Sequence, residues 1–322
     1  MIFRDEPCRL PSWYRYASVL AFAGCGIAML AGLWLLAATP ISIFDWQAAA
    51  IAGGLYILSQ GLRALRLAII VGDPAKSLRQ LVQAHLVGAA ASFTLPYKIG
   101  DLLRIMELAF VLRRGRSYGI WRAVLVVWIE RVYDALPITA LLFFLGVTIG
   151  EDTLRLVAPI LAAMITFIVL TLLTFFVLPE NLDGLALFLA RRYHGNRVVT
   201  VLRSIDRLHR LAGDARRMLH RKHITLISIS AVIWIAEITT AGLILGKGEI
   251  GSSAAALLRF LSGLLSPTFS RELNDLTVYS AVIGLPLLLS GLVAWVAAIR
   301  SGRLSIVRAA GTPSRLAAQR PQ

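Results

Sequence analysis

Two neighbouring stretches of this sequence carry charged side chains whose types and spacing suit the binding of a polar group. They are Lys98, Asp101 and Arg104 in the first stretch, and Glu130, Arg131 and Asp134 in the second. An arginine guanidinium is planar and can bond two phosphate oxygens at once. Carboxylates accept hydrogen bonds from amines and from sugar hydroxyls. These six residues are the first candidates for a binding site, and the elements around them decide whether they meet.

The surroundings of these charges are strongly apolar. The chain has 322 residues, of which 57% are hydrophobic and 16% are charged, and its mean hydropathy is +0.73. Soluble domains have about 45–50% apolar and about 25% charged residues. The excess falls into apolar runs of about 20 residues, the length that spans a bilayer core as a helix. The composition therefore predicts an all-α polytopic membrane protein.

The net charge of +15 comes from Arg and Lys between the apolar runs and at both ends of the chain, as the positive-inside rule predicts. No basic and aromatic module lies outside the runs, so nucleic acid is not expected as a partner. Cys8 and Cys25 are too few for a disulfide framework or a zinc site, and we expect neither metal nor cofactor. The pattern indicates a multi-pass protein of a bacterial cytoplasmic (inner) membrane, with both termini cytosolic.

The apolar runs divide the chain into an arm, one transmembrane domain and a tail. They predict about six spans and two re-entrant hairpins, with a possible inverted repeat, or alternatively up to eight short spans. The predicted boundaries are a cytosolic basic arm at 1–16, a transmembrane domain at 17–299 with halves 17–149 and 154–299, and a cytosolic basic tail at 300–322.

A basic segment at residues 180–222 interrupts the second half, with ten Arg and Lys against four acids. Within it apolar residues recur at helical spacing, and arginines lie elsewhere on the wheel. The apolar residues are Val198, Leu202, Ile205, Leu208 and Ala212, and the arginines are Arg203, Arg207 and Arg210. This pattern predicts a basic amphipathic helix on the inner membrane face.

The first charged stretch lies at the tip of a broken apolar segment. Residues 81–95 and 102–112 are each too short to span a bilayer, and Pro96 and Gly100 lie between them. Broken backbone at membrane depth is tolerated only inside protein or along a water-filled cavity. The pattern favours a re-entrant hairpin, and two short, tilted spans are the alternative.

The order of spans and broken pieces occurs twice, and in each half a proline precedes an acid by five positions. The pairs are Pro96 with Asp101 and Pro267 with Glu272. Three crossings per half would invert the second half, which is the layout of many transporters with a site at the repeat interface. Arg271 and Glu272 are therefore secondary candidates for the site. Residues 273–299 would have to supply both a return leg and a span.

The second charged stretch lies on one predicted span, residues 120–149. Glu130, Arg131 and Asp134 fall within an arc of about 100° on that helix, and Arg131 can pair with Asp134. An Arg or Asp near mid-membrane costs roughly 2.5–3.5 kcal/mol on insertion scales, so the three should face the bundle interior near the hairpin. Two interpretations stay open: a structural ion-pair network, or a lining that receives a lipid head group.

Three further charges lie inside predicted spans and are secondary candidates. Arg63 and Arg66 lie three apart on one helical face, and either reach the inner head groups or line a cavity. Glu237 is alone in its span, and is either a proton-linked group or a hydrogen-bonded core acid. His85 is interpreted as a hydrogen-bonded helix residue. The sequence lacks nucleophile, metal and phosphate-loop motifs, so we do not expect an enzyme.

The motif residues of the two charged stretches resemble those of a known family. They are Pro96, Gly100, Asp101 and Arg104, followed by Glu130, Arg131 and Asp134. In this order they resemble the flippase-like family that includes the membrane region of lysylphosphatidylglycerol synthases. That family has a Pro-x-x-x-Gly-Glu-x-x-Arg element before a Glu-Arg-x-x-Asp helix, and this chain has Asp101 at the Glu position. The resemblance is closest over residues 48–146 and is architectural elsewhere.

The resemblance implies a protein that moves, or helps to move, a lipid between leaflets, without the aminoacyl-transferase domain of the synthases. We expect an anionic phospholipid, or a polyprenyl- or glycolipid, in an intramembrane polar cavity. Two other classes stay open. One is a non-transporting scaffold that docks a lipid-modifying enzyme on the basic segment at 191–222. The other is an ion-coupled solute transporter that uses Glu237.

Overall fold

The computed structural model describes eight stretches of the chain, and every regular element in them is helical. The stretches are residues 12–38, 46–72, 74–94, 99–112, 119–149, 151–192, 195–245 and 273–300. The α-helices are α1 Ser12–Ala38, α2 Trp46–Val71, α3 Pro74–Thr94, α4 Ile99–Leu112, α5 Gly119–Ile149, α6 Glu151–Leu172, α7 Leu178–Arg192, α8 Asn196–Leu219, α9 His223–Leu245 and α10 Leu273–Arg300. A π-helical segment, Leu173–Val177, joins α6 to α7.

Five of the described helices are long and apolar enough to cross a membrane. The apolar windows are Tyr16–Trp34, Trp46–Val71, Ala158–Val177, His223–Ile244 and Val282–Ile299. Helix α5 has 31 residues, which is about 46 Å at 1.5 Å per residue, but it carries the second charged stretch. The predicted all-α polytopic membrane fold is confirmed.

Helices α3 and α4 pack side by side and run antiparallel. A Cβ atom at Gly88 would meet Arg104 Cβ at 2.5 Å, and one at Gly100 would overlap the backbone of Ser92. A later position on α3 thus contacts an earlier position on α4, as in an antiparallel pair. Glycine at both contact points lets the helices approach closely.

One leg of the predicted hairpin is longer than the apolar pattern indicates. Helix α3 begins at Pro74 instead of residue 81, and its 21 residues rise about 31 Å, which matches a bilayer core. The polar residues before Leu81 hid this first part, since Lys and Arg side chains can extend away from a helix that stays regular. Helix α4 has 14 residues, so it remains shorter than a span. Residues 95–98 lie outside the described residues, and re-entry into the membrane stays a prediction.

Helix α10 packs along the other side of α3. A Cβ atom at Gly284 would meet Phe93 Cζ at 2.6 Å, and one at Gly291 would overlap the side chain of Ala90.

The region Pro267 to Glu272 lies outside the described residues. Helix α10 is one helix of 28 residues with Pro286 inside it, so residues 273–299 do not hold a return leg and a separate span. The inverted repeat stays a prediction.

Buried apolar side chains of the described residues form two large cores that share α3 and α4, and a third, small cluster lies around Leu142 between α5 and α6. The first core joins α2, α5, α8 and α9, and takes Leu81 and Ala84 from α3. The second joins α1 and α10, and takes Val87 and Ala90 from α3. His85 lies between these two sets along α3, so the boundary between the cores crosses the helix there.

The basic segment forms two helices, α7 and α8. The apolar window of the preceding span ends at Val177, and the π-helical segment leads from α6 directly into α7, with Pro179 in its first turn. The predicted amphipathic helix is present as α8, with Ile205 and Ala212 buried. The arginines at 203, 207 and 210 are exposed.

Candidate functional site

Four arginines on three helices each contact a carboxylate on another helix. The pairs are Arg63 with Glu237, Arg66 with Asp134, Arg104 with Glu130, and Arg131 with Asp101. We call these eight residues the charged network. The network joins α2, α4, α5 and α9. These helices also form the first core, to which α4 contributes through its later residues.

Two pairs join α4 to α5. Arg104 Nη2 donates to both carboxylate oxygens of Glu130, at 2.8 and 2.6 Å. Arg131 Nη2 donates to both oxygens of Asp101, at 2.5 and 2.7 Å. The first pair is buried, whereas the Arg131 side chain is 41% exposed and that of Asp101 is 20% exposed. The first turn of α4 also places the Asp101 carboxylate near free backbone N–H groups, which favours negative charge there.

The other two pairs join α2 to α5 and α9. Arg66 Nη1 donates to Asp134 at 2.8 Å and to the Ser230 hydroxyl at 2.7 Å. Arg63 donates to Glu237 through Nη2 at 2.7 Å and through Nε at 3.1 Å, and its Nη1 lies 3.6 Å from Asp134. Asp134 thus receives two arginines from α2, while the predicted i,i+3 contact with Arg131 on its own helix is looser, at 3.9 Å.

The charges of the network balance, because four guanidinium groups face four carboxylates. Moving an isolated charge out of water costs several kcal/mol, and only a close, well hydrogen-bonded partner offsets that cost. The arrangement therefore keeps charged groups inside an apolar bundle without a net charge. It also fixes α2, α4, α5 and α9 relative to one another, since each pair has its partners on two helices.

Exposure changes along the network. The Arg66 side chain is 1% exposed and that of Glu130 is 2% exposed, against 41% for Arg131. Arg131 is therefore the cation of the network that an incoming group reaches first. The network is open at the Arg131–Asp101 pair and closed at the Arg66 end.

Five of the six primary candidates meet in the network, and the secondary candidates Arg63, Arg66 and Glu237 meet there as well. The interpretation of Arg66 as an arginine that extends to the head groups is wrong, because its side chain is buried against Asp134 and Ser230. Glu237 is alone in its span but not in the fold, since Arg63 reaches it from α2. Lys98, Arg271 and Glu272 lie outside the described residues.

Two polar residues near the network were missed or set aside by the sequence reasoning. Glu107, on α4, is buried and accepts a hydrogen bond from the buried Tyr14 hydroxyl of α1. An acid inside a short apolar leg, three residues after Arg104, is a signal that points to such a contact. His85 is buried and lies 3.1 Å from Gln60 Oε1 through its Nε2, as its interpretation as a hydrogen-bonded residue expects.

A comparison with protein families gave one match. The model described as the lysylphosphatidylglycerol synthase TM region matches residues 16–265. The matched region includes most of α1, helices α2 to α9 and the whole charged network, so it extends well beyond residues 48–146, where the motifs carry the resemblance. No curated protein and no solved structure matches the chain.

Proposed function

The chain belongs to this family of lysylphosphatidylglycerol synthase membrane regions, and from that premise we propose that it is a lipid translocase. The lipid is an anionic phospholipid, or a polyprenyl- or glycolipid, whose head group enters between α4 and α5 while its acyl chains stay in the bilayer. The membrane is the bacterial cytoplasmic membrane, with both termini on the cytosolic side.

The observation that carries this proposal is the graded exposure of the charged network. A purely structural network has no need of a half-exposed arginine joined to a buried set of ion pairs. Arg131 presents a planar donor group at the open end, and planar guanidinium groups bind phosphate oxygens in pairs. Arg131 holds Asp101 with one nitrogen, so a phosphate can share or replace that contact.

An exchange of partners explains how the head group enters. A phosphate that replaces Asp101 leaves Arg131 still paired with an anion. The freed Asp101 carboxylate is partly exposed, so its cost of separation is smaller than for a fully buried acid. It can then accept an amine or hydroxyl of the same head group. The buried pairs Arg66–Asp134 and Arg104–Glu130 hold the helices in place during the exchange.

The test is lipid exchange between leaflets in vesicles that contain the purified protein. Arg131→Ala is expected to abolish the acceleration of leaflet exchange of a labelled phosphatidylglycerol. Arg217→Ala is the matched control, because Arg217 forms an ion pair with Asp214 at 2.8 Å on the surface of α8, with 78% of its side chain exposed. Unchanged exchange in a folded Arg131→Ala protein would contradict the role of this site.

A second candidate function is a scaffold for a lipid-modifying enzyme. It is favoured by the surface of α8, where exposed arginines lie beside exposed Val199 and Val201. Copurification of an enzyme that is lost when Arg203, Arg207 and Arg210 are changed to Gln, without lipid exchange by the chain itself, would support this alternative. The ion-coupled transporter was suggested by a carboxylate alone in its span. Glu237 is paired with Arg63, so this argument for the transporter no longer applies.

A further inference from the structure

His85 lies at the boundary between the two cores, and the lipid exchange described above leaves it unused. Its Nδ1 atom is buried and has no hydrogen-bond partner among the described residues, and the same holds for Arg104 Nε. The side chains are themselves buried, with His85 2% and Arg104 7% exposed. Buried polar atoms are nearly always paired in folded proteins. Arg66 Nε and Trp234 Nε1 are unpaired among the described residues as well, but the nitrogens of His85 and Arg104 lie on adjoining helices, where one bound group can satisfy both.

Packing brings these two side chains to the same part of α3. Gly88 lies three residues after His85 and leaves room for the stem of Arg104, since a Cβ there would meet Arg104 Cβ, Cγ and Cδ at 2.5, 2.8 and 3.0 Å. Arg104 Nε is bonded to that Cδ, so it starts at the α3 surface one turn from His85.

We propose that His85 Nδ1 and Arg104 Nε form a binding site for a phosphodiester anion, which enters together with a proton that His85 takes up. In the neutral ring, Nε2 donates to Gln60 Oε1 and Nδ1 is an acceptor, which repels an anion. Protonation of Nδ1 turns it into a donor. The guanidinium Nε–H of Arg104 then supplies the second hydrogen bond to the same phosphate group.

The balance of charges explains why the proton is needed. A phosphodiester anion added to four arginines and four carboxylates leaves one negative charge without compensation in an apolar interior, which is costly. A proton on His85 restores neutrality, because the bound anion favours the charged form of the imidazole that burial otherwise disfavours. The anion and the proton therefore bind as a neutral pair.

Helices α1, α2, α4 and α10 pack on α3 and carry charged or titratable groups, except for residues 282–299 of α10. These groups include Tyr14 and Cys25 on α1, Arg63 and Arg66 on α2, and Asp101, Arg104 and Glu107 on α4. Asp101, like Glu130 and Asp134 of α5, is held by an arginine. Glu107 is held by the Tyr14 hydroxyl. His85 is thus the group in this set that we expect to gain the proton.

The phosphodiester can come from a lipid head group or from a free diester. The inference rests on the proposed function only if the source is a lipid head group. Titration calorimetry on the detergent-solubilised protein uses dihexanoyl phosphatidylglycerol for the lipid source and dimethyl phosphate for the free diester. Neither ligand titrates near neutral pH. Repeating each titration at one pH in two buffers of different ionisation enthalpy measures the protons taken up, and we expect about one per bound diester.

Two variants and one control test the assignment. His85→Gln is expected to abolish proton uptake and to weaken binding roughly tenfold or more, since a charge-assisted hydrogen bond is lost. Arg104→Lys keeps a cation beside Glu130 but lacks the Nε donor, so binding should weaken while proton uptake remains. His220→Gln changes an exposed histidine in the turn after α8 and should leave both quantities as in the parent protein.

Each outcome decides between the possibilities. Binding of both ligands with proton uptake supports a site for the diester itself, and binding of one ligand alone with uptake identifies its source. Absence of binding for both, or binding without uptake that His85→Gln leaves intact, overturns the inference. Measurements of lipid exchange distinguish this inference from the proposed function. Diester binding with proton uptake but without leaflet exchange would support the His85 site and contradict the translocase. Leaflet exchange without proton uptake would support the translocase and contradict the His85 site.

Discussion

Arg104 donates through one nitrogen atom to both carboxylate oxygens of Glu130, at 2.8 and 2.6 Å, and this pair joins α4 to α5 inside the bundle. Removing one partner of a buried ion pair leaves an uncompensated charge, at a cost of about 3–5 kcal/mol. Glu130→Ala is therefore expected to lower the free energy of unfolding by about that amount. Thermal or denaturant unfolding in detergent measures it.

The control for this first prediction removes both charges. Arg104→Gln combined with Glu130→Gln leaves no buried charge, so the double variant should be more stable than either single variant. Equal stability of the single and double variants would show that the two side chains do not depend on each other.

Asp101→Asn separates a structural role from a functional one. Arg131 and Asp101 are partly exposed, and such pairs contribute only about 0.2–1 kcal/mol to stability. We expect a change in unfolding of less than about 1 kcal/mol and a large loss of lipid exchange, because the head group can no longer exchange places with a carboxylate. Exchange that persists at the parent rate would favour a structural network.

The close approach of α3 and α4 predicts a different effect for two glycines. A Cβ at Gly100 overlaps the Ser92 backbone, whereas a Cβ at Gly213 meets nothing within 4 Å. Gly100→Ala should destabilise the protein by about 1–3 kcal/mol through overpacking. Gly213→Ala, in the middle of α8, should instead stabilise it by about 0.5–1 kcal/mol, because alanine favours helix. Similar melting curves for the two variants would contradict the close packing of α3 on α4.

Glu237→Gln addresses the ion-coupled alternative. Glu237 accepts hydrogen bonds from Arg63 and from the Ser59 hydroxyl at 3.1 Å. The substitution should destabilise the protein by about 1–3 kcal/mol. This is less than the effect of removing Glu130, because Arg63 still has a second carboxylate partner, Asp134, whose oxygen lies 3.6 Å from Arg63 Nη1. The pH dependence of transport should stay unchanged, and a shifted pH profile with normal stability would restore Glu237 as a proton-linked group.

The sequence predicted the helical character of the fold and most helix ends, because apolar runs and prolines determine them locally. Helix α5, for example, extends from Gly119 to Ile149, against the predicted span 120–149. The start of α3 was missed, since the polar residues before Leu81 resemble a loop when hydropathy alone is considered. The π-helical segment before Pro179 was also missed, because no pattern of residue types marks one extra residue in a turn.

For the candidate site, the charged residues singled out in the sequence do come together in the fold, but most of their pairings were not predicted. Apolar surroundings alone single out the buried charges, so Arg131 and Asp101 were expected to lie near each other. The contacts of Arg66 with Asp134 and of Arg63 with Glu237 connect positions far apart in the chain. Such pairs depend on which helices are neighbours, and helix neighbours are set by packing of the whole bundle.

The division of α3 between two cores gives this helix a mechanical role. Its first part packs in the core formed with α2, α5 and α9, and its last part packs in the core formed with α1 and α10. Close glycine contacts on both flanks leave the helix little freedom to slip. A displacement of one group of helices against the other would therefore be taken up as bending at His85. The two groups of helices would then move relative to each other about the turn of α3 that carries this histidine.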